Sequence, residues 1–139
     1  MAGILKGGCH CGAVRLELAT SMRPEDLRPR ACDCSFCTKH GAAYVSDPRG
    51  RLRIVAPDGL AEYRQGSGTA RMLLCRTCGV LVGAVLEEGG RRYGTVNAKC
   101  LEDATFGAPQ AVSPQKLGVE EKKARWVRLW TPDVEIAAR

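Results

Sequence analysis

Three cysteines fall within six residues, Cys32-Asp33-Cys34-Ser35-Phe36-Cys37, at a C-x-C-x-x-C spacing that simple core packing does not require. Alternate residues of an extended strand share a face, so Cys32 and Cys34 can aim at one point. A helix starting at Ser35 would swing Cys37 back to that point. Ser35 suits such a start, because its hydroxyl can accept from an orphan amide. Amides and the positive end of a helix dipole there would also favour thiolate over thiol. The expected result is a claw of three thiolates. A structural zinc has four protein ligands, whereas a zinc with three keeps an open position for water or substrate. Three thiolates weaken the acidity of zinc-bound water, which disfavours hydrolysis. A fourth soft ligand such as a thiol suits the site better.

Four more cysteines come in pairs. Cys9 and Cys11 form a C-x-C between glycines, and Cys75-Arg76-Thr77-Cys78-Gly79 has the shape of a zinc knuckle. Together they make a closed four-ligand set, a structural staple joining segments far apart in sequence. That leaves the claw with a second zinc, two per chain. Its fourth position is either open or filled by Cys100, His10 or His40. Cys100 by itself reads as a buried apolar thiol, and the two histidines as incidental polar residues. Arg30, Lys39 and Arg76 stand close enough to these motifs to balance thiolate charge or attract an anionic thiol.

The elements that must position these groups are mostly short strands. Ala13-Val14-Arg15-Leu16-Glu17-Leu18 and Arg51-Leu52-Arg53-Ile54-Val55 alternate polar and apolar residues, the pattern of half-buried strands. Residues 41–45, 61–64, 71–74, 80–86 and 91–97 read as further strands. Turns are expected at Asp47-Pro48-Arg49-Gly50, Pro57-Asp58-Gly59 and Glu87-Glu88-Gly89-Gly90. Residues 65–69 read as a flexible loop and 102–125 mainly as loop, with a short helix over 119–125. Trp126-Val127-Arg128-Leu129-Trp130 alternates and reads as a final strand. The expected fold is mainly β, short antiparallel strands stapled by metal, in a single domain over residues 1–139.

The chain has 139 residues, 45% apolar and 26% charged, ordinary values for a globular protein. No run approaches the ~18 apolar residues of a membrane span. The first six residues carry no signal-peptide core. These features favour a cytosolic location, where thiols stay reduced and eight cysteines suggest metal before disulfides. Seven thiolates and two zinc dications would lower the formal charge from +6 to +3. The basic residues are dispersed, and no aromatic array interleaves them. Nucleic-acid binding is therefore not expected.

Four motifs taken together resemble the glutathione-dependent formaldehyde-activating family, which includes the centromere protein V type. They are Gly7-Gly8-Cys9-His10-Cys11-Gly12, Cys32 to Cys37 with Gly41, Cys75 to Gly79, and Val96-Asn97-Ala98-Lys99-Cys100-Leu101. The likeness spans about residues 7–101, and the tail of residues 102–139 matches weakly. Leu74 stands where the family often has Phe. The resemblance implies a β-tent fold of the Mss4-like type. It implies a structural zinc at Cys9, Cys11, Cys75 and Cys78 and a catalytic zinc at Cys32, Cys34 and Cys37, in agreement with the spacing. It further implies carbon–sulfur lyase chemistry on a small thiol such as glutathione and an aldehyde. A non-catalytic zinc module that recognises a protein or a nucleic acid is the competing expectation.

Overall fold

The computed structural model describes residues 3–102 and 104–139. Among them, eleven strands run in chain order as β1 (Gly3–Gly8), β2 (Arg15–Thr20), β3 (Arg30–Cys32), β4 (Tyr44–Val45), β5 (Arg51–Val55), β6 (Leu60–Tyr63), β7 (Arg71–Cys75), β8 (Leu81–Glu88), β9 (Arg91–Asn97), β10 (Gln110–Val112) and β11 (Val134–Ala137). Two α-helices, α1 (Ser35–His40) and α2 (Val119–Leu129), complete the main elements. The fold is mainly β, as the sequence suggested, and its strands build two sheets. One has the order β1-β2-β5-β11, the other β10-β3-β4-β9-β8-β7-β6. Pairing is antiparallel except at β3/β10 and β5/β11.

Alternation sets the inner face of the smaller sheet. Leu16 and Leu18 on β2 lie opposite Ile54 and Leu52 on β5, and all four are buried. Burying each such side chain contributes roughly 1.5–3 kcal/mol. The larger sheet is covered on both faces, which explains the nearly continuous apolar run of β8. Val82 and Val85 join the cluster shared with the smaller sheet, while Leu81, Ala84 and Leu86 join a second cluster with Tyr44, Met72 and Trp130. The claw cysteines belong to that second cluster, and Cys9, Cys75 and Cys100 to the first. The two thiol groups thus sit in different parts of the core.

Several local features fix this frame. Asn97, at the end of β9, donates from its amide to the Leu81 carbonyl at 2.9 Å and accepts from the Lys99 amide at 3.2 Å. The Val-Asn-Ala-Lys-Cys motif is therefore a buried tie between β8 and the turn after β9. Cys100 is buried, with its sulfur 3.5 Å from the Leu81 carbonyl, as expected of a core thiol. Gly7 pairs with Leu101, and a Cβ there would lie 1.9 Å from the Cys100 carbonyl oxygen.

The C-terminal part differs from its sequence reading at several elements. Residues 126–130 end helix α2 and are not a strand. Glu120 and Glu121 stand in its first turn and Arg128 in its last, which suits the helix dipole. Trp126 and Trp130 are four residues apart and so share a side of the helix, stacking with ring centroids 4.9 Å apart. The last strand is β11, and residues 110–112, read as loop, form β10 against β3. No helix among the described residues is long and apolar enough to cross a membrane.

Candidate metal centres and the adjoining cavity

The four paired cysteines meet at one point, although about 65 residues of chain separate the pairs. Cys11 Sγ lies 3.6 Å from both Cys9 Sγ and Cys75 Sγ. All four sulfurs, with that of Cys78, fall within 4.8 Å of one another. Zinc–sulfur bonds of about 2.3 Å in a tetrahedron place sulfurs about 3.8 Å apart, so the set fits a zinc ion. The knuckle supplies the expected amides. Thr77 and Cys78 each donate to Cys75 Sγ at 3.4 Å, and Val14 donates to Cys9 Sγ at 3.2 Å. Gly79 makes the turn at φ 78°, which a residue with a Cβ rarely adopts. Backbone amides hold the Cys78 thiol down to about 6.

The claw is assembled from β3 and α1. Cys32 ends the strand, and Cys34 is the residue that caps the helix, its sulfur accepting from the Cys37 amide at 3.3 Å. The sequence had given this role to Ser35, which is instead the first helical residue and exposed. Cys32, Cys34 and Cys37 bring their sulfurs within 4.8 Å, and no other His, Cys, Asp or Glu among the described residues joins them. Cys100 lies with the other cluster, and His10 and His40 are exposed. A hydrogen bond from Cys37 holds the Cys32 thiol down to about 6 against the cost of burial. Cys37 is pushed up by its hydrogen bond with Cys32 and by burial. Three close thiols thus share negative charge, which a dication would neutralise while displacing the remaining protons. The Tyr44 hydroxyl lies 3.1 Å from Cys37 Sγ and donates to it when that sulfur is a thiolate. Burial, above all, keeps Tyr44 protonated.

Cys32 and Cys34 also line a cavity of about 90 Å³. Its other walls come from β3, β7, the loop of residues 65–69, residues 112–115 and helix α2. Arg30, Lys122 and Arg125 face it, together with Trp126 and Trp130. Of the three cations named from sequence, Arg30 reaches the cavity, while Lys39 and Arg76 are exposed outside it. Lys122 and Arg125 fall within the short helix expected over residues 119–125, and Trp126 and Trp130 within the stretch read as strand; what was missed is that one continuous helix carries all four to the cavity. The signal for a helix was present in the acidic first turn and the spacing of Lys122, Trp126 and Trp130.

These features define a small two-sheet β protein with one four-thiol and one three-thiol cluster, each able to hold a metal ion, the second opening on a cavity. The chain belongs to the glutathione-dependent formaldehyde-activating enzyme family, whose model matches residues 4–118. That span includes all seven clustered cysteines and runs past Leu101 through β10 to the residue before α2. The chain is also similar to a Rhodobacter sphaeroides protein whose crystal structure was determined by the Northeast Structural Genomics effort. The two are 36% identical over 72% of this chain and 90% of that one, with a TM-score of 0.53.

Purified without chelator, the protein should contain about two zinc ions per chain. Elemental analysis that repeatedly gives one, with all seven cysteines intact, would contradict the division into two centres.

Proposed function

We propose that this protein is a zinc-dependent carbon–sulfur lyase-type enzyme acting on a thiol–aldehyde adduct such as S-hydroxymethylglutathione. The single observation that carries this reading is the three-thiol cluster opening on a cavity through Cys32 and Cys34. A zinc ion held by Cys32, Cys34 and Cys37, once bound, supplies a soft position that favours sulfur as thiolate. In the direction of addition, substrate sulfur attacks the carbonyl carbon. An S–C bond forms, the C=O π bond opens, and the thiol proton ends on the oxygen as a hydroxyl. The reverse breaks the S–C bond and returns that proton to sulfur. Tyr44 fixes the orientation of Cys37, and the buried walls limit the water reaching the reacting end. A pure recognition module has no need of a cavity against its ligand cysteines, which favours the enzyme.

The test replaces zinc with cobalt and titrates first with glutathione, then with its S-methyl form. Glutathione should change the visible bands of one cobalt, and the S-methyl form should not. If neither alters the spectrum while Cys100→Ser or a histidine variant does, the fourth position belongs to the protein, and the recognition module becomes the better reading.

A further inference from the structure

The cavity carries three cations and no acid. Arg30, Lys122 and Arg125 line it, and no Asp or Glu does. None of the three has a carboxylate partner among the described residues. Arg30 and Cys32 share one face of β3, two residues apart, so guanidinium and sulfur look into the same space.

Arg30 is held rather than loose. Its Nη2 donates to Ser46 Oγ at 2.7 Å and to Thr95 Oγ1 at 3.2 Å. Those hydroxyls spend their own hydrogens on the Leu129 and Val45 carbonyls, so toward Arg30 they can only accept. Lys122 is only 9% exposed, and its Nζ has a neutral partner, Ser67 Oγ at 3.2 Å. Buried charge without a counter-charge is costly. One buried and two half-buried cations on one cavity, none with a carboxylate partner among the described residues, imply an anion as their missing partner. At about 10–15 Å³ for each water-sized group, the enclosed space holds roughly six to nine of them. A three-carbon mercapto acid fits it whole; a tripeptide thiol fits only by its reacting end.

We propose that this cavity binds a compact thiol bearing a carboxylate close to its sulfur, with the carboxylate on Arg30 and Arg125 and Lys122 closing the side. The sulfur end rests on the thiol reading of the claw given above; the carboxylate end does not. Both tryptophans of the chain lie on the cavity, so their fluorescence reports occupancy independently of the metal.

The experiment titrates the metal-loaded protein with 3-mercaptopropionate, 2-mercaptoethanol, cysteamine, glutathione and propionate. It reads tryptophan fluorescence in the zinc form and visible bands in the cobalt form. By fluorescence, 3-mercaptopropionate should bind at least tenfold more tightly than 2-mercaptoethanol or cysteamine and no less tightly than glutathione. That preference should fall below threefold in Arg125→Gln and in Arg30→Gln. Arg125 is only half-buried, so its variant remains informative if the Arg30 variant does not fold. Equal binding of the acid and the two thiols that lack a carboxylate, or a preference untouched in Arg125→Gln, overturns the proposal and leaves the claw reading standing. Clear superiority of glutathione over the short acid overturns the compact-substrate claim. If fluorescence shows the acid preference, propionate included, while no thiol moves the cobalt bands, the anion site stands and the claw reading fails.

Discussion

Cys75→Ser is expected to unfold the chain, and Cys34→Ser to leave it folded. Cys75 is buried at the end of β7 and receives two knuckle amides while meeting Cys11 across the cluster. Its cluster joins the chain just after β1 to the end of β7, so losing one ligand opens a long-range closure. A structural zinc contributes on the order of 10 kcal/mol, and a domain's whole stability is only about 5–15 kcal/mol. Cys34 belongs to the three-thiol cluster and caps α1 through its side chain. Serine is itself a strong helix cap, so the replacement keeps that hydrogen bond while lowering metal occupancy at the claw. Circular dichroism and thermal melting compare the two variants. Equal loss of structure in both would mean that each centre is structural.

Gly7→Ala should lower stability by at least about 3 kcal/mol, at the upper end of overpacking effects. The new Cβ would lie 1.9 Å from the Cys100 carbonyl oxygen and 2.7 Å from the Cys100 carbonyl carbon and Leu101 Cα. All three are backbone atoms, so no side chain can rotate away. One residue earlier, the Lys6 carbonyl accepts from the Glu102 amide at 2.8 Å, so β1 cannot shift without losing that contact. Any shift is also transmitted to Cys9, two residues on. Gly3→Ala is the control: its Cβ meets nothing closer than 4.0 Å, and it should change stability by no more than about 0.5 kcal/mol. Chemical denaturation measures both, and a Gly7→Ala midpoint equal to wild type would remove the argument.

The sequence was most legible where chemistry or alternation is strict. The seven clustered cysteines separate as four and three by spacing alone, and the structure groups them the same way. Arg51–Val55 and Arg91–Asn97 coincide with β5 and β9, because each carries enough residues for its pattern to show. β3 and β10 have three residues each and draw their pairing from distant segments, so no local alternation marks them, whereas β4 falls inside the strand expected at residues 41–45. The last turn of helix α2 was hidden by a coincidence of periods. Trp-Val-Arg-Leu-Trp alternates as a strand does, yet its two tryptophans are also one helical step of four apart. Counting the charges of the preceding turn would have distinguished the two. The cavity was less accessible still, because its walls come together only after the chain has folded.

That last point bears on how such a protein can diverge. The sulfurs come from one short segment, residues 32–37, whereas most of the surrounding wall comes from residues 65–72, 112–115 and 122–130. Substitutions at Lys122, Arg125 or Gln115 can accumulate without touching a ligand cysteine or the four-cysteine cluster. On the proposed function, reaction type and substrate preference would therefore be inherited through separate stretches of chain. Descendants that keep all seven cysteines but exchange the α2 cations for neutral or acidic side chains should retain the chemistry while moving to thiols of a different charge.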